Sequence, residues 1–165
     1  MSGFGRWIAV AALACLPGLS AAQGAQVAFG EMQRDRDRPV EVTSDALSVN
    51  QSDNSAVFTG SVVIAQGGMR LSAPRVRVVY LDDRSGIRAL EATGGVTLVS
   101  GEDAAEAARA EYSVTSGIIE LRGDVLLVQG DTAITGDSVR VDTAAGTARV
   151  SGGVKTVLQP GGAEE

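Results

Sequence analysis

The sequence has no histidine, and Cys15 is its single cysteine in 165 residues. Without an imidazole, the side chain that most often serves as general base or metal ligand near neutral pH is missing. One thiol cannot close an internal disulfide. Cys15 also falls inside an apolar N-terminal run, so the rest of the chain has no thiolate nucleophile or metal ligand. No glycine-rich loop leads into the Lys-Ser/Thr pair of a phosphate-binding loop. Carboxylates such as Asp45, Asp124 and Asp137 recur at strand ends beside glycines, where capping of the backbone is the simpler reading and a paired-carboxylate hydrolase the alternative. No enzyme activity, metal or cofactor is expected. Aromatic residues make up only 4% of the chain and the net charge is −6. That combination excludes the basic footprint and stacking platforms of a nucleic-acid binder.

Long apolar runs are also scarce, and the one at the N-terminus has a recognisable form. Arg6 precedes the apolar stretch Ile8 to Leu16, Pro17 and Gly18 break it, and Ser20-Ala21-Ala22 supplies small residues. This pattern predicts a secretory signal peptide over residues 1–22, cleaved after Ala22. The apolar stretch is short for a membrane-spanning helix, and a retained anchor is the alternative. Cys15 lacks the Leu three places upstream that lipoprotein processing uses, because Ala12 stands there. Cleavage would remove one Arg and no acid, taking the charge to −7. Residues 23–38 are expected to be a polar lead-in, with the alternating charges of Arg34-Asp35-Arg36-Asp37-Arg38 solvated and neutralising one another.

What the chain does have is alternation and repetition. From Pro39 to Pro160, short bursts of alternating apolar and polar residues are separated by Gly, Asn and Asp, the signature of β-strands and turns. Four segments resemble one another: Thr59-Gly60-Ser61-Val62, Thr93-Gly94-Gly95-Val96, Arg122-Gly123-Asp124-Val125 and Ser151-Gly152-Gly153-Val154. Their first glycines are 34, 29 and 29 residues apart, a period that marks a repeat architecture. Each unit is expected to supply about four short antiparallel strands with one apolar face, the glycines turning corners. The alanine-rich stretch Glu102 to Glu111 would favour helix locally. The alternation of Ala110, Tyr112 and Val114 instead predicts a loop over 100–106 and a strand from about Ala107. A unit with one apolar face cannot bury it alone, so units must stack. The predicted class is all-β, a sandwich or jelly roll, over residues 39–160, with 161–165 a disordered tail.

The inward positions by this alternation are Val40, Val42, Leu47, Val49, Phe58, Val62, Ile64, Met69, Leu71, Val76, Val78, Tyr80, Val96, Leu98, Tyr112, Ile119, Leu121, Val125, Leu127, Ile134, Val139 and Val141. They are mostly small, they carry no charge, and few are aromatic. Two interiors fit: an ordinary packed core, or a space that holds an apolar ligand.

Several segments resemble the LptA/OstA family. They are Pro39-Val40-Glu41-Val42-Thr43-Ser44-Asp45-Ala46-Leu47, Phe58 to Gly67, Leu71-Ser72-Ala73-Pro74 with the valines beyond it, Ala110-Glu111-Tyr112, Leu121-Arg122-Gly123-Asp124, Gly136-Asp137-Ser138-Val139 and Lys155 to Pro160. Pro74 stands where the family usually has an acidic residue. The resemblance spans about residues 37–160. It implies an open antiparallel β-jelly roll in the periplasm of a Gram-negative bacterium, with the inward positions lining a groove for the lipid A acyl chains of lipopolysaccharide. It implies as partners the homologous domains of an inner-membrane ATP-driven exporter and of an outer-membrane insertion protein. It also implies head-to-tail self-association through the terminal strands, here Val40-Glu41-Val42 at one end and Thr156-Val157-Leu158 at the other. Two alternatives remain: a membrane-tethered exporter subunit of the same fold, and a structural β-solenoid or adhesin fragment with a packed core.

Overall fold

The computed structural model describes residues 25–29, 34–35 and 37–158. The expected signal peptide and the tail lie outside them. Among the described residues there is no α-helix, and eleven strands form one antiparallel sheet. They are β1 (Ala25–Ala28), β2 (Glu41–Thr43), β3 (Ala46–Asn50), β4 (Ser55–Gln66), β5 (Met69–Tyr80), β6 (Ile87–Ser100), β7 (Asp103–Ser113), β8 (Ile118–Gln129), β9 (Thr132–Asp142), β10 (Thr147–Ser151) and β11 (Lys155–Leu158). Sequential strands pair as hairpins from β4 to β9, the topology that needs only short turns.

The four short strands expected per repeat are two long strands, each bent in the middle. Register shifts interrupt the ladder at Thr59/Val62, Thr93/Val96 and Arg122/Val125, and the break between β10 and β11 falls at Gly152-Gly153. At every one of these places two successive residues have positive φ: Gly60 and Ser61, Gly94 and Gly95, Gly123 and Asp124, Gly152 and Gly153. The extra residue bends its strand sharply. Asp45 and Asp137 face two of the bends, and each donates its backbone N–H to the glycine carbonyl, Asp45 to Gly60 at 3.0 Å and Asp137 to Gly152 at 2.9 Å. Pro74 faces the Gly94 bend, with its ring 3.2 Å from where a Cβ on Gly94 would lie. A proline in a central strand normally costs a ladder bond. Here it sits where the pairing of β5 with β6 is already interrupted, between Ser72 and Arg75.

The bends fold the sheet into two layers. One layer runs β3, then the halves Ser55–Thr59 of β4, Arg75–Tyr80 of β5, and so on to β10 and β1. The other runs β2, the opposite halves of β4 to β9, and β11. Val76, Leu121 and Val139 of the first share one buried cluster with Ile64, Leu98 and Leu127 of the second. The fold class is an antiparallel β-jelly roll.

Two segments differ from expectation. β7 begins at Asp103, so only Gly101 and Glu102 form the turn where a loop over 100–106 was expected. Alanine has little preference of its own in a strand, and Ala105, Ala107 and Ala110 are small enough to be buried opposite the bulkier Leu98, Val96 and Leu121. The lead-in also does more than carry charge. Ala25–Ala28 pair with β10, and Phe29 is 0% exposed in the core. Asp35 accepts a 2.7 Å hydrogen bond from the Gly68 N–H and ion-pairs with Arg38, capping the β4–β5 turn.

Candidate functional site

Residues directly opposite one another in an antiparallel ladder point to the same side, so the inward face can be followed strand by strand. In the first layer one inward row passes through Leu47, Phe58, Val76, Ala92, Ala110, Leu121, Val139 and Val150. The row beside it holds Val49, Ala56, Val78, Leu90, Tyr112, Ile119, Val141 and Ala148. In the second layer the matching row is Val42, Ile64, Leu71, Leu98, Ala105, Leu127, Ile134 and Thr156. Of the positions that the alternation placed inward, Val42, Leu47, Val49, Phe58, Ile64, Leu71, Val76, Val78, Leu98, Tyr112, Ile119, Leu121, Leu127, Ile134, Val139 and Val141 fall in these three rows.

Most of these residues are packed against one another. Val62, Ile64, Met69, Leu71, Val76, Val78, Val96, Leu98, Tyr112, Ile119, Leu121, Val125, Leu127, Ile134, Val139 and Val141 are all buried, while Val40, Val42, Phe58 and Tyr80 are half-buried at its border. Leu47 and Val49 behave differently. They continue the inward rows onto β3, yet they are 56% and 64% exposed, on the strand where the first layer ends. The apolar interior thus opens at the β2/β3 end, and a shallow cavity of about 240 Å³ beside Val49, Asn54, Tyr80 and Arg84 adjoins that mouth. At the far end Leu158, in register with Thr132 of β9, is 70% exposed.

The interior is graded in polarity. The outermost inward row of the second layer is Gln66, Met69, Ser100, Asp103, Gln129 and Thr132, largely polar. Tyr112 of the first layer donates its hydroxyl to Gln66 Oε1 of the second at 2.8 Å, joining the two layers. Gln129 Nε2 reaches Asp103 Oδ2 at 3.1 Å and also the carbonyl of Ala28. Such pairing is needed because a buried amide left unpaired costs about 1–3 kcal/mol.

The outer face of the first layer is charged. Arg77 bridges Asp53 and Glu91, and Glu120 bridges Arg122 and Arg140. The Arg122 hydrogen bond holds the Glu120 carboxyl below its ordinary range, with Arg140 adding to the effect. A cavity of about 410 Å³ lies over this face, lined by Glu91, Thr93, Arg109, Glu111, Glu120 and Arg122. Among the described residues no group of His, Cys, Asp and Glu could hold a metal ion. Asp45 and Asp137 stand at separate bends, so the carboxylates singled out in the sequence do not converge.

The profile of the LptA/(LptD N-terminal domain) LPS transport protein family matches residues 41–147. The chain belongs to this family. A member-like relative is the lipopolysaccharide export system protein LptA of Escherichia coli (strain K12), 27% identical over 111 residues, which are 64% of this chain and 60% of that one. The lipopolysaccharide export system protein LptH of Pseudomonas aeruginosa is 25% identical over 133 residues, 76% of this chain and 75% of LptH. An uncharacterised protein of Rhizobium meliloti (strain 1021) is 28% identical over 140 residues, 78% of this chain and 75% of that protein. In three dimensions the chain resembles the crystal structure of LptH, described as the LptA-homologous periplasmic component of the lipopolysaccharide transport device. The TM-score is 0.68 at 19% identity, covering 76% of this chain and 99% of that one. The likeness in structure establishes the shared fold.

Sequence reasoning missed β1 and Phe29. The only signal available was the alternation of Val27 and Phe29 in a short polar stretch.

Proposed function

We propose that this chain is a periplasmic carrier of lipopolysaccharide, shielding the lipid A acyl chains between its two layers. After cleavage behind Ala22, it passes them from an inner-membrane exporter to an outer-membrane insertion complex. The observation that carries this reading is the mouth at β2/β3, where Leu47 and Val49 extend the buried rows into solvent. Family membership supports it, as does the polar outermost row, which suits an amphipathic molecule with its tails deep and its sugars outward. The residues between Val62 and Val141 that line the interior are packed against one another, so acyl chains enter by parting the layers from the mouth. The gain is large enough to drive this. Each methylene removed from water is worth about 0.8 kcal/mol, so a chain of roughly a dozen carbons gains on the order of 10 kcal/mol. Transfer between two similar interiors is nearly isoenergetic. The carrier therefore needs no chemistry of its own, and direction comes from an upstream motor.

The free edges of β2 and β3 at one end and of β11 at the other are the surfaces for homologous domains and for further copies stacked head to tail. Titration of the full chain with fluorescent lipopolysaccharide is expected to saturate. Leu47→Asp and Val49→Asp, both at exposed positions, should weaken binding at least tenfold with unchanged thermal stability. No binding at any concentration would overturn the carrier reading. Intact mass of protein secreted to the periplasm is expected to begin at Gln23; retention of residues 1–22 would favour the tethered alternative.

A further inference from the structure

The two ends of the sheet are not equivalent. Among the described residues, both layers finish on an unpaired edge at the β2/β3 end. At the other end the second layer finishes on the free edge of β11, whereas the first is covered: β1 lies antiparallel along β10, with Val27 opposite Ala148 and Ala28 opposite Thr147. Beyond β1 the Phe29 N–H bonds the Gly146 carbonyl at 3.0 Å, and its ring is fully buried. Gln26 accepts from Arg149 at 3.2 Å, and Gln129 donates to the Ala28 carbonyl across the layers.

Among the described residues the second layer has eight rungs: β2, six half-strands of β4 to β9, and β11. The first has eight from β3 to β10, and β1 is a ninth. Eight is even, so in a row of alternating strands the rung after β10 must run in the direction of β3. β1 does run that way. A second copy shifted along the row without rotation would present its β3 to β10 in the same direction, and its β2 to β11. The side chains also correspond. β1 turns Val27 inward beside Ala148, in the same row that Val49 of β3 occupies at the other end. While β1 is in place the ends are offset by one rung, about 4.8 Å. β2 of an incoming copy then cannot reach β11 when its β3 meets the sheet. Without β1 the two ends are flush.

We infer that β1 with Phe29 is an intramolecular stopper on the C-terminal docking edge, displaced by β3 of a second copy of this chain. This rests on the head-to-tail reading above and adds a control to it: assembly is limited by release of four ladder residues and one buried ring. Edge strands that would otherwise template uncontrolled pairing are commonly covered in this way.

The test locks the stopper. Gln26→Cys with Arg149→Cys, in a Cys15→Ser background, joins β1 to β10 on the outward side when oxidised. Sedimentation velocity across a concentration series is expected to show only monomer for the oxidised protein and concentration-dependent oligomers after reduction. Phe29→Ala, which weakens the stopper, should shift the midpoint of assembly to at least tenfold lower concentration. Oligomers of equal size in the oxidised and reduced forms would overturn the stopper. Val157→Pro on β11 separates the two ideas: it should abolish the reduced protein's oligomers. If it leaves them intact, the head-to-tail reading itself fails. Should Phe29→Ala not fold, the oxidised and reduced forms of the locked protein still decide the matter.

Discussion

Replacing glycines at two bends of the sheet separates backbone strain from steric crowding. Gly95 has φ +96° with nothing within 4 Å of a Cβ built on it, while Gly123 has φ +86° and its Cβ would lie 2.8 Å from that of Ala108. Gly95→Ala therefore suffers only the positive φ, about 1–2 kcal/mol for a residue with a Cβ. Gly123→Ala adds a contact well inside the van der Waals minimum, against a neighbouring strand that cannot retreat without breaking the pairing of Arg109 with Arg122. Overpacking of this kind costs about 1–3 kcal/mol more. At roughly 2–4 °C per kcal/mol for a domain of this size, Gly95→Ala should lower the melting temperature by about 2–8 °C and Gly123→Ala by about 4–20 °C. Ala108→Gly in the Gly123→Ala background should recover the crowding part and leave the strain. Thermal unfolding followed by circular dichroism measures all four proteins. Equal losses for the two single variants, or no recovery by Ala108→Gly, would refute the bend geometry.

Three further outcomes follow from single contacts. Tyr112→Phe removes the donor that joins the layers at Gln66 and should cost about 1 kcal/mol, read as a lower urea midpoint with an unchanged slope. Asp35→Ala removes the acceptor for the Gly68 N–H and should expose the β4–β5 turn to faster amide exchange while the slowest amides of β7 and β8 keep their rates. Because the folded-state pKa of Glu120 is depressed, chiefly by Arg122, its stabilisation is present above the unfolded value and disappears as pH falls through the folded one. Wild type should thus lose more stability than Glu120→Gln as pH drops below about 4.3, and parallel acid-denaturation curves would contradict the pairing.

Much of the fold was legible because its two rules are local. Period-two alternation marks which residues of a pleated strand face inward, and Leu47, Phe58, Val76 and Leu121 do share one face. The recurring Gly-x-Val segments marked the bends, since few residues other than glycine accept paired positive φ. What escaped is what depends on partners distant in sequence. Val27 pairs with Ala148, and a four-residue strand in a polar stretch carries too little local pattern to announce that. The start of β7 escaped for a related reason: Ala104 and Ala105 carry a helical preference that pairing with Val99 and Leu98 overrides. For the candidate site, the sequence supplied the inward rows but not their exposure. That Leu47 and Val49 stand open while Leu71 and Leu98 are sealed is decided by where each layer ends.

The central claim is that lipid occupies the space between the layers, and site-specific photo-crosslinking tests it most directly. A photoreactive residue is placed at Val49 in the mouth, at Leu98 in the interior, or at Arg109 on the charged outer face, and each protein is irradiated with lipopolysaccharide. Adducts are predicted from Val49 and Leu98 and none above background from Arg109. Adducts from Arg109 alone would place the lipid outside the sheet and contradict the account.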